Sequence, residues 1–231
     1  MDSLPLNKGD SMPSNARTAF DANVKDIDNL VALHAAKGGT KPGRRYDLEV
    51  LNKSAIVLIT SFWEAYCEDI AEEALEMIVQ HAPDADALPN KIKAIIAKPL
   101  KEDKNDLAIW AISDEKWRAV LQSNFAALKD ERNATFSTPK SFHVNKLFET
   151  GVGLTDMSSN WKWTGMTAAK AAKKLNDFVT MRGDIAHRGS ATTSVQKAEV
   201  VEYLSLVKKL AAKTGGVVKK HVKTITGQDL F

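Results

Sequence analysis

Asp47 to Gln80 reads DLEVLNKSAIVLITSFWEAYCEDIAEEALEMIVQ and contains neither proline nor glycine. Leu48, Leu51, Ala55, Leu58, Phe62, Ala65 and Ile70 recur along it at helical spacing. Its centre, Ser54 to Tyr66, is apolar on nearly all sides, the pattern of a helix buried inside a bundle. Ile56, Val57, Ile59 and Thr60 are β-branched and would suit a strand, but the run is too long and its flanks too helical for one. The segment predicts one long central helix, about 50 Å at 1.5 Å per residue.

Working outward, Arg17 to Lys37 carries Phe20, Val24, Ile27, Val31 and His34 on one helical face, and Gly38, Gly39, Pro42 and Gly43 then stop it. Beyond Pro83 and Pro89, shorter helices are expected near Lys91 to Ala97 and Leu107 to Ile112. An amphipathic helix from Asp114 to about Arg132 follows, with Ser113 as N-cap and Trp117, Val120, Leu121, Phe125 and Leu128 inward. Thr138 and Pro139 predict a helix start, with its end at Gly151. Thr167 to Arg188 is an Ala/Lys-rich helix containing Gly183, which costs about 1 kcal/mol relative to alanine in a helix. The last helix is expected from Thr193, with Gln196 in capping-box register, to Lys213, ended by Gly215 and Gly216. Helices joined by short loops define an all-α bundle. The expected organisation is a flexible segment over 1–16, one helical domain over 17–214 and a tail over 215–231.

Composition sets the class. The chain has 231 residues, 44% hydrophobic and 26% charged, with 12 Gly and 7 Pro, as in an ordered globular domain. A single cysteine, Cys67, excludes an internal disulfide framework, and no Cys/His spacing fits a structural zinc site. The N-terminus lacks the pattern of a signal peptide and no run is long enough for a membrane span, so a cytoplasmic protein without membrane partners is expected. Residues 161–231 hold 13 Lys/Arg against 5 Asp/Glu, net +8, whereas the first 160 hold 19 against 24, net −5. A basic third of this kind either faces a polyanion such as RNA or is a solvated lysine face. Lys173, Lys174, Lys208, Lys209, Lys219, Lys220 and Lys223 are its candidates for phosphate contact.

Glycine-rich phosphate loops, dinucleotide fingerprints, HExxH and nucleophile elbows are absent from the sequence. The segment that could carry chemistry is Met181-Arg-Gly-Asp-Ile-Ala-His-Arg-Gly, with Arg182 and His187 in an R-x4-H arrangement. Phe62-Trp-Glu-Ala-Tyr-Cys-Glu-Asp lies on the long early helix. Thr138-Pro-Lys, Val144-Asn-Lys-Leu-Phe, Gly151 and Trp161-Lys-Trp163 follow in order before the R-x4-H segment. Together, over about Leu48 to Arg188, these stretches resemble the RiboL-PSP branch of the HEPN superfamily, whose F-E-A-Y segment the first of them matches.

The resemblance implies an all-helical symmetric homodimer in which two copies of the motif face each other across a cleft and cut single-stranded RNA with neither metal nor other cofactor. It places Arg182 and His187 at the motif positions, Asp184 between them as a modulator, and Glu64 as the acidic residue orienting the arginine or the histidine. Arg188, Lys173, Lys174 and Lys162 are the expected RNA contacts. Many relatives are toxins or defence effectors, which implies an antitoxin or sensor protein as partner. One control in the superfamily modifies a tyrosine two residues after the histidine; Gly189 stands at that place here.

The same chemistry follows from the residue types. RNA carries its own nucleophile, the 2′-hydroxyl, so cleavage needs a base for that proton and positive charge on the phosphate. An imidazole titrating near neutrality can be base or acid, and a guanidinium holds a non-bridging oxygen through its planar fork. On a regular helix Arg182 and His187, five residues apart, point about 140° from one another. Either the helix ends or distorts around Gly183, or the working site combines groups from two subunits. The competing reading is a noncatalytic HEPN module binding RNA or a partner protein, with Arg182, Asp184 and Arg188 a surface charge cluster and His187 a cation at a helix C-terminus. A structural subunit of a larger complex is a third. His34, His81, His143 and His221 read as structural or exposed, Cys67 as packing, and Trp161 and Trp163 as either packing or base-stacking residues.

Overall fold

The computed structural model describes residues 12–38, 48–126, 129–130, 136, 138–189 and 194–231. Among these, α1 (Asn15–Gly38), α2 (Glu49–His81), α3 (Asn90–Glu102), α4 (Lys116–Ser123), α5 (Ser141–Val152), α6 (Ala168–Arg188) and α7 (Lys197–Thr226) form an all-α bundle with short 3-10 turns between them. The described residues contain no β-strand, only an antiparallel bridge between Trp163 and Met166.

α2 has 33 residues and packs against α1, α4, α5, α6 and α7. Ile56, Ile59, Trp63, Cys67, Ile70, Ala74 and Ile78 are fully enclosed on it. The stretch from Ala55 to Trp63 is so surrounded that it needs no polar face, whereas Glu64, Glu68, Glu72, Glu76 and Gln80 line one side of the C-terminal half of α2. Its C-terminal carbonyls are not left bare. The Arg118 guanidinium donates to the carbonyls of Val79 and Ala82, a cation meeting the negative end of the helix. Less than two turns back along α2, Glu73 Oε1 accepts from Ala16 N at the start of α1, which Ser14 caps, its Oγ accepting from Arg17 N at 3.0 Å. α1 therefore begins at Asn15, within the segment expected to be loose; residues 1–11 of that segment, and the glycine- and proline-bearing turn from residue 39 onward, lie outside the described residues.

Several boundaries differ from the sequence reading, each for a local reason. α3 extends to Glu102 through the exposed Pro99, at the cost of the hydrogen bond that an amide there would give to the carbonyl of Ile95. Ala108–Ile112 is a 3-10 turn rather than an α-helix. α4 starts at Lys116 because Asp114 adopts a left-handed φ of 53°, so Ser113 cannot cap it; Leu128 and Arg132 fall outside the described residues. α5 starts at Ser141, two residues beyond Pro139, whose carbonyl accepts from the Trp63 indole at 3.2 Å. It ends at Gly153, which takes φ 73°, and Gly151 is buried inside it.

The largest correction concerns α7. Thr193 lies outside the described residues, and the helix is started instead by a capping box between Gln196 and Glu199. It then continues through Gly215 and Gly216 to Thr226, with Val218 and Val222 buried, so residues 215–226 are helix rather than tail. Gly215 is there for packing. A Cβ at that position would lie 2.7 Å from Tyr66 Oη, and that hydroxyl is held by donating to Ala211 O at 2.8 Å. Its ring cannot retreat, because it is flanked by Phe20 at 5.4 Å and Trp63 at 6.1 Å. Gly215→Ala is thus expected to destabilise the fold by about 1–3 kcal/mol through overpacking. Gly216→Ala, whose Cβ would meet nothing within 4 Å, should stabilise it by about 1 kcal/mol through helix propensity. Opposite shifts in urea midpoint from two adjacent glycines would check this; equal shifts would refute it.

Candidate functional site

α6 carries both motif residues. Thr167 caps it, its Oγ1 accepting from Lys170 N at 3.2 Å, and Gly189 closes it with φ 67°. A left-handed cap of this kind favours glycine and disfavours larger residues, so the backbone itself gives a reason for glycine at 189. Between these ends the helix is unbroken across Gly183. Distortion at Gly183 is therefore removed as a way of bringing Arg182 and His187 together within one chain.

The two side chains have different surroundings. Arg182 turns inward, its side chain only 25% exposed, towards Glu64 on α2. Its Nη2 lies 4.0 Å from Glu64 Oε2, a distance at which charges attract but no hydrogen bond forms. Its Nε is buried without a hydrogen-bond partner among the described residues. Buried guanidinium donors are normally satisfied, so this one is held with capacity to spare. Burial pushes the Glu64 carboxyl above the ordinary carboxylate range, and the Arg182 charge acts in the opposite direction. Nearby, Tyr203 on α7 hydrogen-bonds Thr60 at 2.9 Å and stacks on Phe178 at 4.3 Å between ring centroids. Burial pushes its phenol up, while the Thr60 bond and the Arg182 charge oppose that. Thr60 and Tyr203 are neighbours that sequence reasoning missed: both lie within apolar helical runs, and only the packing of α7 on α2 joins them.

His187 is exposed, five residues further along α6. Asp184 and Arg188 pair at 3.9 Å in i, i+4 register. The end of α6 is pinned to α2, where Lys53 Nζ donates to Gly189 O at 3.0 Å and pairs with Glu49 at 3.3 Å. Asn52 Nδ2 donates to Val195 O at 2.9 Å. Beside these anchors an open, mostly apolar groove of about 550 Å³ runs between α2 and α6, lined by Val50, Lys53, Ser54, Val57, Leu58 and Ile185.

The expected RNA contacts are dispersed. Lys173 pairs with Asp177 at 2.7 Å on α6 and Lys174 with Glu202 on α7, while Lys162 lies exposed in the loop before α6. Exposed pairs of this kind are weak and do not withdraw the lysines from solvent. Trp161 is wholly buried, its Nε1 donating to Thr214 Oγ1 at 3.0 Å. Cys67 is buried, which pushes its thiol up and suits packing rather than nucleophilic attack. His221 bonds Val152 O at 2.8 Å. Among the described residues no group of three His, Cys, Asp or Glu side chains is placed to hold a metal ion, and no helix is long and apolar enough to cross a membrane.

A family model described as RiboL-PSP-HEPN matches residues 21–220. Comparisons with curated proteins and with solved structures give no match.

Proposed function

Because the chain belongs to the RiboL-PSP-HEPN family, we propose that it is a metal-independent endoribonuclease that cuts single-stranded RNA as a homodimer. The observation that carries this reading is the state of Arg182: a largely buried guanidinium, charge-balanced by Glu64 yet with Nε unspent, on the same helix as the exposed His187. Nε is enclosed and out of a ligand's reach, but the approach to Glu64 is too long for a hydrogen bond, so the outer nitrogens can take a phosphate oxygen without first breaking a bonded pair. Glu64 orients it and Asp184 restrains Arg188 at the rim.

In the proposed reaction the RNA 2′-oxygen attacks the adjacent phosphorus as an imidazole removes its proton. The bond from phosphorus to the 5′-oxygen breaks, and that oxygen takes a proton from the acid form of a histidine. The products are a 2′,3′-cyclic phosphate and a 5′-hydroxyl. Arg182 neutralises charge on the non-bridging oxygens throughout. Two features support the dimer. The unbroken α6 directs Arg182 and His187 about 140° apart, and the apolar groove between α2 and α6 lies beside the site, where a second copy would cover it. A toxin or defence effector of the cytoplasm, restrained by an antitoxin or sensor protein, is the role this activity fits.

The test is incubation of the full chain with mixed single-stranded RNA in EDTA, beside His187→Ala, with end-group analysis of the fragments. Cleavage by the wild type alone, leaving cyclic phosphates, is expected. RNA left intact by both but bound by both would overturn the nuclease in favour of a noncatalytic RNA-binding module.

A further inference from the structure

Phe142 is 70% exposed, although it stands in the first turn of a well-packed helix. Its ring meets that of His143 edge-on at 5.5 Å. The turn that holds it is tied to α6 twice: Ser141 N donates to Asn176 Oδ1 at 2.9 Å, and Asn176 Nδ2 donates to Ser141 Oγ at 3.1 Å.

Asn176 has a place in the helix that gives this contact meaning. Asn176, Thr180, Gly183 and His187 follow one another at spacings of four, three and four, so they share one face of α6. Thr180 and His187 are exposed, and at Gly183 even an added Cβ would meet nothing within 4 Å. This face is an open strip from the foot of Phe142 to the motif histidine. Eleven residues of helix span about 16 Å. That is roughly three to five nucleotides, between an extended strand and one stacked at about 3.4 Å per base.

Phe142 also stands at the head of a groove of about 680 Å³. Lys146 and Glu149 follow it on the same face of α5, and Lys91 lies across from them. The lysines suit a phosphate close to Phe142, whereas Glu149 repels a strand continuing along α5. The groove therefore fits one base with its phosphate rather than a long RNA path.

Resting on the ribonuclease reading above, we infer that Phe142 is a stacking platform for an unpaired base of the RNA strand whose scissile phosphate lies at Arg182 and His187. The substrate class this defines is RNA with an unpaired stretch of a few nucleotides to one side of the cut. An aromatic ring takes any base by its π-face, so the subsite sets strandedness and register rather than sequence.

The experiment uses the full-length His187→Ala protein as parent, in EDTA, with a mixed-sequence single strand of about 12 nucleotides. Adding Phe142→Ala should weaken binding about tenfold, and Phe142→Trp should restore parental affinity or better. Coincident thermal melts of the three proteins would exclude a folding effect. Tight binding by the parent with no loss in Phe142→Ala overturns the stacking platform and leaves the RNA reading intact. A parent that does not bind RNA overturns both.

Discussion

Arg182→Ala and His187→Ala proteins, each inactive alone, are expected to recover RNA cleavage when mixed under conditions that allow subunits to exchange. The expectation follows from helix geometry. α6 runs unbroken from Ala168 to Arg188, so Arg182 faces α2 and Glu64 while His187 projects into solvent. In the proposed dimer, a phosphate held by one chain's arginine would meet an imidazole from the other chain across a two-fold axis. In a mixed dimer one composite site has lost both groups and the other retains both. With random exchange half the dimers are mixed and half their sites are intact, so activity should return to roughly a quarter of wild type. His187→Ala should fall by about 10²- to 10⁴-fold, the usual contribution of a positioned acid or base, and Arg182→Ala by about 10²- to 10³-fold, as for loss of a group that stabilises developing charge. Recovery to that level, read as cyclic-phosphate ends released per minute, supports a shared site. Absence of recovery, with exchange demonstrated by differently tagged subunits, means that each chain holds a complete site and that the two-subunit mechanism is wrong.

The parts of the fold legible in the sequence were those with local causes. α2 and α6 announced themselves by long apolar periods free of proline, and the range read for α6, Thr167 to Arg188, is the helix seen, although its caps at Thr167 and Gly189 were not read beforehand. What was hidden depended on contacts between distant segments or on one residue's unusual backbone. Gly215 and Gly216 read as a stop, yet α7 passes through them because Tyr66, far away on α2, needs the space at Gly215. Asp114 read as the first residue of α4, but its left-handed backbone forces the helix to begin later. In the candidate site the spacing of Arg182 and His187 was visible, and Glu64 was reached through the resemblance. The Thr60–Tyr203 pair, the anchoring of Gly189 by Lys53 and the exposure of Phe142 were not, since none has a periodic or motif signature.

Trp161, flanked by Lys162 in a loop, reads from the sequence as a packing residue first and a base-stacking residue second, and the two readings separate sharply in experiment. In the structure it is fully enclosed, its ring edge-on to Trp63 at 5.9 Å and its indole nitrogen bonded to Thr214 on α7. Trp161→Ala is therefore expected to cost about 3–5 kcal/mol in a chemical denaturation experiment, from lost burial and the cavity left behind. That is a large share of the roughly 5–15 kcal/mol that holds a domain folded. Trp161→Phe should cost less. It keeps most of the apolar volume but leaves the buried Thr214 hydroxyl without that partner, a penalty of about 1–3 kcal/mol. An RNA-contacting tryptophan would behave in the opposite way, with the alanine variant as stable as wild type but binding RNA more weakly. A graded stability loss would confirm Trp161 as a core residue that joins the loop before α6 to α2 and α7 through Trp63 and Thr214, and so secures the motif helix against α2.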